Sequence, residues 1–244
     1  MDVMMQQILF GILIIFLAAM TQGATSFGFS LIAVPLLGIM IPLQVAVPIL
    51  MIYSLILNSV ILYHIRQHVQ LKKIIVLVIS GMAGTPFGVY LLKALEESTL
   101  KLVVGIIIVI VAAVNISGYH IKMKNGKRSF IPVGFASGLL NGSVSLGGPP
   151  IVLFLNNQKV EKQIFRGNLT LYFWMINLFS IPTYFFSGLI TREVVSYSLY
   201  LFPGLIIGTL IGIRMGNQVN ERLFKRISMG LIMGMGILSI WSGL

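Results

Sequence analysis

Two short stretches rich in small and polar residues decide how this chain folds: Gln22-Gly23-Ala24-Thr25-Ser26-Phe27-Gly28 and Asn141-Gly142-Ser143-Val144-Ser145-Leu146-Gly147-Gly148-Pro149-Pro150. Each stretch interrupts a run of apolar residues that would otherwise be typical of one continuous helix. Glycine and proline in these positions predict a break in the helix and a turn of the backbone. The chain therefore contains two broken helical elements.

The composition around these stretches is that of a membrane protein. Hydrophobic residues make up 57% of the 244 residues and charged residues 9%, whereas about 25% of the residues of a soluble protein are charged. Apolar runs of ~20 residues, each long enough to cross a bilayer as a helix, recur along the chain. We therefore expect an all-α, multi-pass protein of the cell membrane.

Several functional classes are excluded by what the sequence lacks. There is no cysteine, which rules out a disulfide or a thiolate metal site. No acidic residue lies within an apolar run, so a carboxylate proton relay is not expected. The phosphate-binding loop, the zinc-protease motif and the serine-hydrolase motif are also missing. The sequence predicts neither an enzyme nor a protein with a metal or a cofactor.

The apolar segments define the expected helices and domains. They cover residues 8–20, 29–41, 43–63, 74–95, 100–116, 130–140, 151–155, 168–186, 194–215 and 227–244. A basic loop lies in the middle of the chain. We divide the chain into an N-terminal repeat over residues 1–118, a basic cytoplasmic linker over residues 119–129 and a C-terminal repeat over residues 130–244.

The two halves match each other at an offset of 119 residues. The identical pairs at this offset are Phe16/Phe135, Gly23/Gly142, Ser26/Ser145, Gly28/Gly147, Leu50/Leu169, Tyr53/Tyr172 and Asn58/Asn177. Glycines and polar residues that match in the same order are rarely a coincidence of apolar composition. They indicate an internal duplication, a frequent plan among membrane transporters.

The loop charges favour an inverted arrangement of the two halves. If both broken elements cross the membrane, the 17 basic residues divide almost evenly between its two sides. If both are re-entrant hairpins, all basic residues except Lys93, Lys101 and Arg192 fall on one side, as the positive-inside rule requires. Limbs of 13 residues, about 20 Å long, are also short of a ~30 Å hydrocarbon core. Each half is then one hairpin plus three transmembrane helices, and the halves are inverted.

The two interruptions are the predicted ligand site. Backbone N–H groups at the starts of the half-helices that follow would face an anion, and glycine allows a close approach of the backbone. An alternative is that the glycines serve only helix packing. The candidate glycines are Gly23, Gly28, Gly142, Gly147 and Gly148, and the candidate polar side chains are Gln22, Thr25, Ser26, Asn141, Ser143 and Ser145.

Further candidates lie in the helices that follow the interruptions. Arg166 and Asn168 precede or begin one of them, where a guanidinium suits an anionic group and either residue would contact substrate at a cytoplasmic gate. The alternative for Arg166 is an ordinary arginine at the membrane border. Four more polar residues are assigned either to the site or to hydrogen bonds between helices: Tyr53, Asn58, Tyr172 and Asn177.

A glycine repeat in the second half predicts close helix packing. Its residues recur every four positions and therefore share one helix face, and a shorter version occurs in the first half. The glycines are Gly204, Gly208, Gly212 and Gly216 in the second half, and Gly84 and Gly88 in the first.

This pattern resembles the TauE/SafE sulfite-exporter family of membrane permeases, also called TSUP. The resemblance extends over essentially the whole chain and is carried by the two interruptions together with Phe165-Arg166-Gly167-Asn168-Leu169. Family members often have glycine-rich runs at both interruptions, and the first one here has serine, threonine and phenylalanine in place of several glycines. The resemblance implies transport of sulfite, sulfoacetate or related small organosulfur anions.

The sequence therefore predicts a secondary permease for a small anion bound near the membrane midplane. A passive anion channel on the same fold, or a membrane scaffold subunit without transport, are the alternatives. The expected partners are the anion and the lipid bilayer, without nucleic acid, because orientation in the membrane accounts for the net charge of +11. The sequence does not choose between H⁺ and Na⁺ as a coupling ion, or between a monomer and a homo-oligomer.

Overall fold

The computed structural model describes residues 3–117, 127–157 and 161–215. The chain is helical throughout these ranges apart from short connections, as expected. The helices are α1 (Val3–Thr25), α2 (Phe29–Met40), α3 (Leu43–Ile65), α4 (Leu71–Ala94), α5 (Glu97–Ser117), α6 (Lys127–Val144), α7 (Gly148–Asn157), α8 (Lys162–Phe186), α9 (Arg192–Tyr200) and α10 (Phe202–Met215), with a 3₁₀ turn at Arg66–His68. Most of the predicted linker, Gly216 and the predicted segment over residues 227–244 lie outside the described residues.

Four described helices are long and apolar enough to cross a membrane, and the bent pair of α9 and α10 makes a fifth. Their composition and number are those of a multi-pass membrane protein. The span that contains α3 is 61% buried within the protein, whereas the other three are 44% buried. Helix α3 is therefore the central element around which the others pack.

The first helix is longer than predicted. We expected a limb over residues 8–20, and α1 instead continues for 23 residues to Thr25. The prediction was wrong because Gln22, Gly23 and Thr25 were assigned to the break. In the structure the Thr25 hydroxyl donates to the carbonyl of Thr21 within the helix, at 2.8 Å. Helix α1 is thus long enough to cross the membrane alone, while α2 and α7, at 12 and 10 residues, are not.

Other helix boundaries also differ from the prediction. Helix α6 continues to Val144, through the first four residues of the predicted second interruption, and α7 covers Gly148–Asn157 rather than residues 151–155. Helix α8 begins at Lys162 rather than at residue 168, because its first turns carry polar residues that an apolar pattern misses. The predicted segment over residues 194–215 is two helices that meet at a bend of 49°. Pro203 lies just after this bend, and its ring would clash with the Leu199 carbonyl in a continuous helix.

Glycine seams hold two pairs of helices together, which confirms the predicted packing role of these glycines. Helix α10 packs along α1, and α4 packs along α6. In the first pair, Gly204 and Gly208 face backbone carbonyls so closely that a Cβ atom would clash with them. Gly84 and Gly88 do the same in the second pair. Each pair joins one helix from the first half of the chain to one from the second half.

Candidate functional site

The two breaks in the helices have the same backbone geometry. Helix α1 ends before Ser26, which has φ of 66°, and helix α6 ends before Ser145, which has φ of 61°. These are the two positive-φ residues other than glycine in the described part of the chain, and they are 119 positions apart. Glycine is the usual residue at such a helix end, and serine is strained there by about 1 kcal/mol. Strain of this kind is typical of functional sites.

Each strained serine uses its hydroxyl in a contact with another side chain. The Ser145 hydroxyl lies 2.7 Å from the hydroxyl of Ser30, in the first turn of α2. The Ser26 hydroxyl accepts a hydrogen bond of 3.1 Å from Nε of Arg166. These two contacts bring the first break, the second break and the first turns of α8 together, and they give serine a use that glycine would lack.

Arg166 is buried between helices of the protein. Only 6% of the residue is exposed, and its Nη2 group donates to the carbonyl of Gly23 at 3.4 Å. Among the described residues no carboxylate lies within 4.0 Å of this guanidinium, and the one ion pair joins Lys101 to Glu97. A buried cation without an anionic partner is costly. Arg166 is therefore the most distinctive group of the site.

The electrostatics around Arg166 favour a negative ligand. Helix α2 begins at Phe29, and its first-turn N–H groups carry the positive end of the helix dipole. The Phe29 N–H donates to Oε1 of Gln22 at 3.3 Å. The Ser30 and Leu31 N–H groups donate to no group among the described residues. The guanidinium and the helix N-terminus both attract an anion, and the hydroxyl groups nearby are neutral.

The second break supplies fewer backbone donors than the first. Helix α7 begins with Gly148-Pro149-Pro150, and proline has no N–H group. The two breaks are thus unequal in the backbone N–H groups that they offer, because two of the first three residues of α7 cannot donate. The contribution of the second break is its serine hydroxyl rather than its backbone.

A network of side-chain amide groups connects the helix turns that precede the two breaks. Gln22 donates to Oδ1 of Asn58 at 2.9 Å, and Asn141 donates to Oδ1 of Asn177 at 3.1 Å. The two pairs are related by the same offset of 119 residues. The amide groups of Asn58 and Asn177 both donate to the hydroxyl of Ser54, at 3.1 and 2.8 Å. One continuous buried network therefore joins the last turn of α1 to the last turn of α6 through α3 and α8.

The candidate glycines differ in their surroundings. Gly23 and Gly142 contact the backbones of α10 and α4, where an added Cβ would lie 3.0 and 2.5 Å from main-chain atoms. Gly28 has φ of 102°, which requires glycine. Gly147 faces Ser137 and Asn141 at short range, whereas the nearest atom to a Cβ on Gly148 is 3.9 Å away. Gly148 is thus the candidate glycine at which an added Cβ would make only an ordinary van der Waals contact.

The remaining candidates make hydrogen bonds away from Arg166. The Ser143 hydroxyl donates to Leu139 within α6, and that of Thr25 bonds within its own turn. Oδ1 of Asn168 accepts from the N–H of Gln70 and so holds the connection between α3 and α4. The hydroxyl groups of the two tyrosines donate to backbone carbonyls: Tyr53 to Ser198 at 2.6 Å and Tyr172 to Gly134 at 3.5 Å.

Sequence reasoning missed Ser30 and Ser54. Ser30 lies two residues after Gly28, in the first turn of α2, and that position could have identified it as a candidate site residue. Ser54 lies four residues before Asn58 on the same face of α3, which is the spacing of neighbours on a helix. No group of three or more metal-binding side chains occurs in the described parts of the chain. The site therefore offers cationic and neutral hydrogen-bond donors.

Comparison with known proteins shows the family of the chain. The family model described as "Sulfite exporter TauE/SafE" matches residues 11–239. The chain is similar to the "Probable sulfite/organosulfonate exporter TauE" of Cupriavidus necator, with 23% identity over 176 residues that cover 70% of this chain and 68% of that protein. No solved structure matches the chain. The match of the family model over nearly the whole length shows that the chain belongs to the TauE/SafE sulfite exporter family.

Proposed function

We propose that this protein is a secondary transporter of a small organosulfur anion, such as sulfite or a sulfonate, which binds at Arg166 between the two broken elements. The observation that carries this proposal is Arg166, which is only 6% exposed and whose guanidinium has no carboxylate partner among the described residues. Desolvation of such a charge is unfavourable unless a negative group compensates it. A substrate anion that arrives and leaves supplies this compensation for part of the transport cycle.

The chemistry of the site suits an oxyanion. A sulfonate or sulfite group spreads its negative charge over several oxygen atoms, and guanidinium binds two such oxygens side by side. The hydroxyl groups of Ser26, Ser30 and Ser145 add neutral donors. The substrate class is supported by the family and by the name of the Cupriavidus necator relative, a sulfite and organosulfonate exporter.

We further propose that the two halves are inverted repeats whose broken elements are re-entrant. The charge distribution over the loops supports this topology. So do the matched features of the two halves: strained serines, paired amides and glycine seams that recur at offsets of 119 or 124 residues. Helices α2 and α7 pack against α1 and α6, respectively, as the second limbs of hairpins would. Inverted repeats with broken helices bind substrate at the midplane.

Transport of labelled sulfite into proteoliposomes tests the proposal. We expect the wild type to transport sulfite, Arg166→Gln to lose transport by at least about 100-fold because its charge is gone, and Arg166→Lys to retain only part of it because lysine cannot bind two oxygens at once. Lys93→Gln is the matched control, since Lys93 is an exposed cation that contacts the Ser187 carbonyl. Unchanged transport by Arg166→Gln would exclude Arg166 as the binding residue.

A counterflow measurement separates a carrier from a channel. A carrier preloaded with unlabelled sulfite accelerates uptake of the labelled anion, because each return step of the protein then carries substrate. A passive channel shows no such acceleration. Absence of counterflow in vesicles that still take up sulfite would replace the carrier with the channel. Absence of any uptake, together with no ligand-induced thermal shift, would overturn the transport function.

A further inference from the structure

Thr170 is a second buried polar residue of α8, four residues after Arg166. It is fully buried, with 0% of its surface exposed. Its hydroxyl has no hydrogen-bond partner among the described residues. A buried hydroxyl without a partner costs about 1–3 kcal/mol, so its presence calls for a physical reason.

Other threonines in the middle of helices of this protein do not share this state. Each donates its hydroxyl to the carbonyl four residues earlier, which is the common solution for threonine in a membrane helix. The threonines that do so are Thr21, Thr85, Thr183 and Thr209. Thr170 has the Arg166 carbonyl at the same spacing and makes no such bond. Its hydroxyl is therefore left available.

The position of Thr170 places it between the two broken elements. Arg166, Thr170 and Asn177 lie within about 40° of one another around the axis of α8, at 100° per residue. Arg166 binds Ser26 at the first break. Asn177 binds Asn141, one turn before the second break. Thr170 lies on the same helix face between these two anchors, one turn beyond Arg166.

Comparison of the two halves shows that the fold itself does not require these polar groups. The residues that match Arg166 and Thr170 at the offset of 119 are Val47 and Met51 of α3. Both are buried, at 0% and 1% exposure. Apolar side chains thus meet the packing demand at the matching positions of α3. The polar pair on α8 is thus a feature of one half only, and the packing of the fold does not account for it.

We infer that the Thr170 hydroxyl donates a hydrogen bond to an oxygen of the anion bound at Arg166. This inference rests on the proposed function and deepens it. Two donors one turn apart on one helix suit an anion with at least two acceptor oxygens, one for the guanidinium and one for the hydroxyl. The pair therefore favours oxyanions, and a sulfonate or sulfite group has this arrangement of oxygens.

The test compares the binding of methanesulfonate and sulfite to purified full-length variants by calorimetry. Thr170→Val has nearly the shape of threonine and lacks the hydroxyl, and we expect the affinity for both anions to fall roughly 10- to 100-fold, which is the effect of one hydrogen bond to a charged group. Thr170→Ser keeps the hydroxyl and should bind within about threefold of the wild type. Thr183→Val on the same helix is the matched control, since its hydroxyl bonds to Phe179.

Thermal unfolding without ligand keeps a folding defect separate from a binding defect. We expect Thr170→Val to melt at or above the wild-type temperature, because it removes an unpaired buried hydroxyl. Thr170→Ala, with a smaller side chain, should lose affinity in the same way if valine does not fit. If Thr170→Val binds both anions as tightly as the wild type does, only the role of Thr170 is overturned. A wild type that binds neither anion would overturn the proposed function together with it.

Discussion

At the scale of single residues, the molecule tolerates unfavourable local states at and near the two breaks. Ser26 and Ser145 adopt a backbone conformation that suits glycine, and Arg166 is buried without a carboxylate partner among the described residues. Each state lowers the stability of the ligand-free protein. A functional site commonly gives up stability in this way, so substitutions that relieve these states should stabilise the fold and impair binding.

The first prediction concerns the stability of Arg166→Gln without ligand. The substitution removes a buried charge, and glutamine keeps a donor for Ser26. We expect unfolding to require about 1 kcal/mol more, a rise of roughly 2–4 °C in melting temperature. Sulfite should no longer shift that temperature. Arg192→Gln changes an exposed arginine and should leave both values unchanged. A clear drop in the melting temperature of Arg166→Gln would instead assign Arg166 to the structural support of α1.

The second prediction compares two substitutions of Ser145. Ser145→Gly relieves the positive φ and loses the hydroxyl that contacts Ser30. We expect it to stabilise the protein by about 1 kcal/mol and to slow sulfite transport. Ser145→Ala loses the same hydroxyl and keeps the strain, so transport should fall without stabilisation. Equal melting temperatures for the two variants would show that the backbone at this position is not strained.

At the scale of helices, close backbone contacts decide which segments pair. Glycines of both helices lie in the contact between α1 and α10 and in the contact between α4 and α6. Small residues drive such contacts in membranes, where apolar side chains gain little by leaving lipid. Gly23 and Gly142 belong to these contacts, so bulky substitutions at either position would test packing rather than anion binding.

The third prediction compares two glycine substitutions of equal size. In Gly208→Ala the new methyl group would clash with the Phe16 carbonyl, and the two helix backbones must separate. We expect a loss of about 1–3 kcal/mol in stability, typical of overpacking. In Gly148→Ala the nearest atom is Phe173 Cζ at 3.9 Å, an ordinary contact. Its melting temperature should stay near the wild-type value. Tolerance of alanine at both positions would contradict the close approach of α1 and α10.

At the scale of the whole molecule, the arrangement of the two halves decides how the site is built. Helix α1 of the first half packs on α10 of the second, and α6 of the second half packs on α4 of the first. Neither half would bury its glycine faces alone. Under the proposed inverted topology, this exchange puts one broken element from each side of the membrane at a common centre.

The fourth prediction uses cysteine labelling, for which the absence of native cysteines is convenient. Single cysteines at the exposed positions Gln67 and Glu161 should react with an impermeant reagent only after the cells are opened. Cysteines at Ser98 and Thr191 should react in intact cells. If the broken elements cross the membrane fully, Gln67 and Thr191 share a side instead. Labelling of Glu161→Cys from outside would overturn the inverted arrangement.

The sequence by itself determined the membrane class, the positions of both breaks, most of the helices, the glycine seams and the family. These features depend on composition and short spacings, because a bilayer demands long apolar helices and a helix face repeats every three to four residues. The sequence did not predict where α1 ends, because polar residues such as Gln22 continue that helix and hydrogen-bond to α3.

Only the tertiary structure decided which distant residues meet. The burial of Arg166 against Ser26, the contact of Ser30 with Ser145 and the unpaired hydroxyl of Thr170 each depend on how separate helices pack. A guanidinium in the first turns of a helix has the same local pattern whether it faces lipid headgroups or the protein interior. The packing of side chains from segments more than 100 residues apart decides which of the two environments the guanidinium occupies. A periodic pattern along the sequence does not carry this information.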